Sequence, residues 1–285
     1  MRRTVLVTGA RGKTGREVAR QLAVLPDVEV RAGSSQPGLA GHDQPGRAVR
    51  FDWHDPDTWP EASAGADAIY LMRPDLPDAE DLVAGLVGRN PTSHVVLLSE
   101  QSAEVLDDDQ WVRRVENAVT ERASSWTVLR PSWFQQVLTD PRYFRDSIRD
   151  DRLLSLTTGG APIAWVDTRD IAAVAVAALL DPAAHHGQHH TLTGPEAVAV
   201  DELAQSLSAQ VGERVTAVDP ALSEALHGME PWLTDILDGL YRRVREGAFA
   251  ETTGAVETIT GHPPRTVEDF ISEHRAQWFP VMSNR

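Results

Sequence analysis

The chain has 285 residues, 41% of them apolar and 24% charged, with a formal net charge of -15 and no cysteine. That length accommodates one large domain, or a domain with a smaller partner lobe. The acidity argues against a nucleic-acid-binding surface, which needs clustered Lys and Arg. The lack of cysteine excludes disulfides, thiolate catalysis and cysteine-ligated metals, and fits a cytoplasmic protein.

No apolar run approaches the roughly 18 residues that cross a bilayer. The start, Met1-Arg2-Arg3, enters a strand at once, so no signal peptide is read. Residues 4–8 (TVLVT) form an apolar strand, followed by Gly9, Gly12 and Gly15 and the amphipathic start EVARQL. Glycine permits a tight turn and close approach of backbone N–H groups to an anion, and the following helix presents its positive N-terminus there. The spacing G-x-x-G-x-x-G, after a strand and before a helix, points to a dinucleotide pyrophosphate cradled by Thr8, Gly9, Arg11, Gly12, Lys13, Thr14 and Gly15. The competing reading is an ordinary tight turn between strand and helix.

Further along, strands are expected at 28–32, 48–51, 66–72, 94–99 and 127–129, with helices ending near Leu25 and at 56–63, 78–88 and 107–124. A loop is expected over 34–47, and the three aspartates at 107–109 suit a helix N-terminus. The run VVLLS at 95–99 is apolar throughout, as in a strand covered on both faces. This alternation implies an α/β fold: a Rossmann-type, doubly wound parallel sheet. The second half reads as strands at 163–166, 188–192 and 215–218, with helices at 167–180, 200–210, 220–228, 231–246 and 266–279. The expected division is a dinucleotide-binding domain over 1–154 and a smaller, mostly helical substrate lobe over 155–285, with about 163–182 returning to the first domain. Ligands in such folds sit at the carboxyl ends of the strands.

An acidic residue after the second strand usually holds an unmodified ribose. Here the stretch is Arg31-Ala32-Gly33-Ser34-Ser35, with no acid. Arg31, Arg11 or Lys13 with Ser34 and Ser35 would suit a 2′-phosphate, which favours NADP(H) over NAD(H). Asp52 is a candidate acceptor for the adenine amino group, or else a helix-capping aspartate. Met72, Arg73 and Pro74, at the end of the fourth strand, and Pro131, closing the sixth, are further cofactor candidates.

The segments VTGARGKTG (7–15), VVLLS (95–99), TVLRPSWF (127–134), WVDTRDIA (165–172), LTGPE (192–196) and GHPPRTVEDF (261–270) occur in an order that resembles the NmrA-like branch of the atypical short-chain dehydrogenases/reductases. A closer likeness is to the festuclavine/agroclavine dehydrogenase group, through G-K-T in the turn, FDWHDPDTW at 51–59 and LRPSWF at 129–134. The resemblance implies NADP(H) binding and reduction of an iminium or activated double bond. Two stretches depart from the pattern. Gln135-Gln136-Val137 stands where relatives often have Met-Glu-Asn, and Arg73-Pro74-Asp75 stands where they often have two prolines. Both positions lie near nicotinamide and substrate in relatives, so the substrate is not carried over.

Ordinary short-chain dehydrogenases protonate an alkoxide with a Tyr-x-x-x-Lys pair. Here Lys13 is the only lysine, and none of Tyr70, Tyr143 and Tyr241 has one four residues on. Two functions follow. One is a reductase acting on an electrophilic C=N, conjugated C=C or quinone of a small, aromatic or secondary-metabolite substrate. The other is a non-catalytic NADP(H)-binding redox sensor of NmrA type. Ser99 is the candidate catalytic residue, orienting substrate or nicotinamide, against a strand-end serine bonded to backbone. Glu100, Trp133, Phe134 and Trp165 are the candidate substrate residues, each with a plain reading as loop carboxylate or core aromatic. No metal site is read. His185, His186, His189 and His190 lack the convergent partners that zinc needs. A small-molecule substrate, no nucleic acid and no membrane are expected as partners, and monomer and homodimer both stay open.

Overall fold

The computed structural model describes residues 2–39 and 45–279. Seven strands form one parallel sheet: β1 (Arg3–Val7), β2 (Val28–Ser34), β3 (Arg47–Arg50), β4 (Ala68–Met72), β5 (His94–Leu98), β6 (Ser125–Pro131) and β8 (Gln188–Leu192). The two remaining strands, β7 (Leu153–Ser155) and β9 (Thr216–Val218), pair parallel in a small separate sheet. The large sheet runs β3-β2-β1-β4-β5-β6-β8. Its order reverses between β1, whose Val5 pairs with Val30 of β2 on one side, and β4, whose Ala68 pairs with Val5 on the other. Open sheets of this kind bind ligands at such a reversal, outside the carboxyl ends of the strands. The central strands are the apolar runs, and Val5, Leu6, Val7, Ile69, Leu71, Val95 and Val96 are fully buried, as strands covered on both faces must be.

The helices are α1 (Lys13–Ala23), α2 (Trp59–Ser63), α3 (Ala79–Gly88), α4 (Trp111–Thr120), α5 (Thr168–Leu180), α6 (Pro182–His185), α7 (Val200–Val211), α8 (Leu222–Ala225), α9 (Pro231–Arg245), α10 (Ala255–Thr260) and α11 (Val267–His274). Among the described residues no helix is long and apolar enough to cross a membrane. α1 buries Thr14, Gly15, Val18, Ala19 and Leu22, a stripe at helical spacing, against the Ala/Val face of α5. The Arg3 guanidinium donates to the carbonyls of Leu179 and Leu180, at the end of α5 where a cation is favoured.

Two compact units divide the chain. The first holds the chain up to Pro131 with Thr168–Leu192 and Ala255–His262, and the second holds Ser132–Asp167, Thr193–Gly254 and the chain from Pro263. This corrects the expected boundary at 154. Residues 132–154 belong to the second unit because Leu138, Ile148 and Leu154 are buried in its core with Trp165, Phe249, Phe270 and Trp278. The segment returning to the sheet is correspondingly longer, and includes β8.

Other differences are local. No strand ladder forms at 163–166. Ile163 makes a single bridge to Val198, and Val166 one to Phe134. The expected helix at 107–124 begins only at Trp111, because burial of that ring and its Nε1–H bond to the Leu76 carbonyl (2.8 Å) fix the first turn. The aspartates at 107–109 therefore precede the helix, where Asp108 receives Arg113 (3.0 Å). Of the loop expected over 34–47, residues 40–44 lie outside the described residues.

A group of histidines occupies the opposite edge of the sheet from the strand carboxyl ends. His94, the first residue of β5, is buried, with Nδ1 2.7 Å from the Ser125 hydroxyl and Nε2 3.1 Å from that of Thr127. Thr127 spends its proton on the His185 carbonyl (2.8 Å), so it must accept from Nε2–H, which leaves Nδ1 to accept from Ser125. The ring is thus held neutral. Burial, with help from His186, His185 and Arg3, pushes its pKa down from 6.5 to about 4. Between those values the unfolded chain takes up a proton that the native state refuses, so this contribution to stability is complete above pH 6.5 and is lost as pH falls toward 4. Urea midpoints measured from pH 7 down to pH 4.5 should fall less steeply for His94→Gln than for the parent protein. Equal slopes would remove His94 from the acid response.

Candidate functional site

The glycine turn is built by close backbone approach. Gly9 takes φ +62°, a left-handed conformation that side chains resist, and its carbonyl accepts the Gly12 N–H at 2.8 Å. A Cβ added to Gly15 would collide with that same carbonyl, and one on Gly12 would crowd it at 3.2 Å. Gly12 is the N-cap of α1, and no side chain caps the helix, whose first turn holds no acid. A helix start of this kind, without a side-chain cap or an acid in its first turn, suits an anion. Thr8 locks the turn to the sheet, because its hydroxyl donates to the Tyr70 carbonyl (3.1 Å) and accepts the Met72 N–H (2.8 Å).

Above the turn lies a cavity of about 430 Å³. Gly9, Arg11 and Gly12 line it from the turn, Gly33, Ser34 and Ser35 from the end of β2, Asp52 and its neighbours from the end of β3, and Met72, Arg73 and Pro74 from the end of β4. It thus collects at one place four strand ends widely separated in sequence. Residues not anticipated from sequence also line it: Phe51, Trp53, His54, Asp75, Leu76 and Gly33 itself. The first three lie in the FDWHDPDTW stretch, which offered the signal. Its rings pack on one another, Trp53 edge-on to Phe51 (5.0 Å) and to Trp59 (5.5 Å). Asp52 turns the chain here, accepting the His54 N–H at Oδ1 (3.0 Å) and the Trp59 indole N–H at its carbonyl (2.7 Å).

Other anticipated residues are placed elsewhere. The Arg31 guanidinium donates to the carbonyls of Ala62 (3.2 Å) and Ala64 (2.6 Å), which directs it to the end of α2 rather than into the cavity. Lys13 and Thr14 open α1 but do not line the cavity, and buried Thr14 reaches the Met72 sulfur at 3.7 Å. Pro131 is buried at the end of β6.

Ser99, the candidate catalytic residue, does not line the cavity. Its hydroxyl donates to Glu116 Oε1 at 2.6 Å, inside a buried ion network. Arg130 clamps both Glu116 oxygens (3.0 and 2.7 Å), and Arg113 adds a third contact (2.9 Å). Burial pushes the Glu116 pKa up, but the hydrogen bonds from Arg130 and Ser99 and the two guanidinium charges outweigh it and hold the carboxyl below its usual range.

Glu100 pairs with Arg73 (2.8 Å), and the Arg73 guanidinium lies 4.9 Å from the Trp111 ring centroid. Trp133, Phe134 and Trp165 all belong to the second unit. Trp165 is a core residue, only 1% exposed, with its indole N–H on the Val198 carbonyl (3.3 Å), and so does not wall a pocket. Trp133 meets it edge-on at 5.9 Å, and Phe134 bridges to Val166. Tyr70 is sealed inside β4, Tyr143 is exposed, and Tyr241 packs beside Trp133. No tyrosine lines the cavity. Among the described residues no group of three or more acidic or histidine side chains is placed to hold a metal, and His185 and His190 pair with each other at 3.2 Å.

The Glu116 network carries a stability prediction. Glu116→Leu would leave Arg130, 8% exposed, without its buried counter-ion. Urea unfolding should report a loss of about 3–5 kcal/mol, and a loss below about 1 kcal/mol would mean that the network relaxes to solvent.

A scan of protein-family models finds no match. The chain is 31% identical to an NAD(P)H azoreductase of Xenophilus azovorans, over 95% of this chain and 98% of that protein. It is equally 31% identical to (4-alkanoyl-5-oxo-2,5-dihydrofuran-3-yl)methyl phosphate reductase of Streptomyces griseus subsp. griseus, over 97% and 99%. Agroclavine dehydrogenase of Claviceps fusiformis is 29% identical, over 96% and 98%. Among solved structures, an NADPH-dependent quinone oxidoreductase of Escherichia coli, complexed with NADPH, superposes with a TM-score of 0.78 at 19% identity, over 95% of this chain and 99% of that one. NmrA, a negative transcriptional regulator in complex with NADP, gives 0.75 at 15%, over 96% of each. These structures share the fold, and the full-length sequence relatives carry the kinship: the chain belongs to the NmrA-like branch of the atypical short-chain dehydrogenases/reductases.

Proposed function

We propose that the protein is an NADPH-dependent reductase of small electrophilic molecules. The observation that carries the reading is the glycine turn opening onto a cavity in which Arg11, Ser34 and Ser35 stand where an NAD-binding protein would place an acid. Gly9, Gly12 and Gly15 with the start of α1 would hold the diphosphate. Arg11, Ser34 and Ser35 would take the 2′-phosphate, and Asp52 the adenine amino group. The chain at Met72–Pro74 would run along the ribose side. Bound NADPH supplies the hydride.

The acceptor follows from what the site lacks. Tyr70 is enclosed, the Ser99 proton is committed to Glu116, and the only lysine does not line the cavity. No group resembles the tyrosine–lysine acid that neutralises an alkoxide. This favours acceptors that need no strong acid: an iminium carbon, whose positive charge the hydride cancels, or a quinone or conjugated enone that spreads the new charge and takes its proton from solvent. Catalysis then rests on positioning. The relatives named as an NAD(P)H azoreductase, a (dihydrofuranyl)methyl phosphate reductase and an agroclavine dehydrogenase support a nucleotide-dependent reductase of small molecules.

Two measurements test the reading. NADPH consumption with a panel of cyclic imines, naphthoquinones, azo dyes and conjugated enones should reveal turnover with at least one class. Tight NADPH binding with no turnover on any of them would instead favour the non-catalytic redox sensor. Arg11→Ala should weaken NADPH by about tenfold or more, the worth of a charge-assisted contact, and should weaken NADH much less. Equal losses for both would remove Arg11 from the 2′-phosphate.

A further inference from the structure

The histidines at the edge of the sheet away from the strand carboxyl ends take no part in the nucleotide cavity. Four of them fall in one short stretch, His185-His186-Gly187-Gln188-His189-His190, which closes α6 and opens β8. Gly187 takes φ +75° and turns the chain between the two pairs. Its N–H bonds to the Trp126 carbonyl (2.8 Å), and His186 Nδ1 receives the Trp126 N–H (3.3 Å), so the turn is fastened to β6. Alternate residues of a strand face opposite sides of the sheet. His189 accordingly turns to the Trp126 ring, 5.1 Å between centroids, while His190 turns the other way and meets His185.

The His185 and His190 rings cross at 79°, and His185 Nδ1 lies 3.2 Å from His190 Nε2. At that distance one of the two nitrogens donates and the other offers a lone pair. Two imidazole nitrogens bound to one ion at about 2.0–2.1 Å stand roughly 2.8–3.4 Å apart, for angles between square-planar and tetrahedral. The pair is therefore already at chelating distance. To take an ion, the donating ring moves its proton to its outer nitrogen, and small rotations of both rings bring the two lone pairs to one point. Both residues are partly exposed, so solvent reaches them. Burial, with His185 and His189 beside it, holds the His190 pKa below 6.5, which favours the neutral ring that a metal requires. The net charge of -15 favours a cation. Among the described residues no third histidine or acid converges on the pair, so this is not the closed, four-ligand kind of zinc site. Water fills the remaining positions. Two imidazole nitrogens with oxygen ligands make the tetragonal set that divalent copper takes, and copper heads the affinity order of first-row divalent ions.

We propose that His185 and His190 form a two-point chelate for divalent copper where α6 meets β8, with water in the other positions. An ion held there ties the last turn of the helix to the edge strand. Copper(II) chloride titrated at neutral pH into the full-length protein, stripped beforehand with EDTA and dialysed, should show a first equivalent bound more tightly than nickel or zinc. The electron paramagnetic resonance spectrum of that equivalent should carry couplings to two imidazole nitrogens. His185→Gln and His190→Gln should each weaken it by about tenfold or more, since loss of a mere supporting partner already costs that much, and each should remove one nitrogen coupling. His186→Gln and His189→Gln should change neither reading. Copper should raise the urea midpoint of the parent protein and not that of H185Q or H190Q. Midpoints measured without copper show which variants keep the fold, and the spectrum of the parent tests the two-nitrogen set without any substitution. Equal copper affinity in the parent and both variants, or a parent spectrum without two nitrogen couplings, overturns the site. Dependence on His186 or His189 as strong as on the pair also overturns it, and makes the stretch a diffuse binder. Tighter binding of zinc than of copper overturns the assignment of the ion.

Discussion

The contact between Gly15 and the Gly9 carbonyl governs the rest of the site. A single methyl at Gly15 would push the first turn of α1 off the end of β1. With hydrogen there instead, the helix start drops onto the strand end, its N-cap Gly12 lines the cavity, and Thr8 ties the turn to β4 through Tyr70 and Met72. The β1/β4 reversal and the turn are thereby one rigid body. Every lining segment, from β2, β3 and β4, is positioned by register against β1 or its partner.

Charge is distributed against the overall balance. A chain with a net charge of -15 brings Arg11 and Arg73 to the cavity wall and buries Arg130 beside Glu116. The two kinds of arginine do different things. Arg130 and Arg31 bond carboxylates or carbonyls and hold elements together, whereas Arg73 pairs with Glu100, lies against Trp111 and also lines the cavity. Formal charge alone does not separate structural cations from ligand-binding ones.

How far the chain could be read without coordinates follows from the range of each interaction. β1, β4 and β5 were legible because runs such as VVLL carry their own signal of burial on both faces. The glycine turn was legible because its geometry is local. Arg31 was not, because its partners, the carbonyls of Ala62 and Ala64, lie over thirty positions away. Ser99 looked like a strand-end hydroxyl available to substrate, yet Glu116, on the next helix, claims its proton. Trp165 reads from the sequence as a substrate candidate with core packing as the alternative, and its partners in the second unit's core, such as Phe249 and Phe270, lie far along the chain. Trp111 decided where α4 begins, overriding the preference of three aspartates for a helix start. In each case a tertiary partner outweighed a local preference.

The aromatic cluster at the end of β3 has an optical consequence. Trp53 lines the cavity while packing edge-on against Phe51 and Trp59, so its indole sits in a partly dry setting at the cavity wall. A reduced nicotinamide absorbs where indole emits. A reduced nucleotide bound in this cavity would therefore lie near a built-in fluorescent donor, and quenching of tryptophan emission would gauge site occupancy without label or coupled reaction.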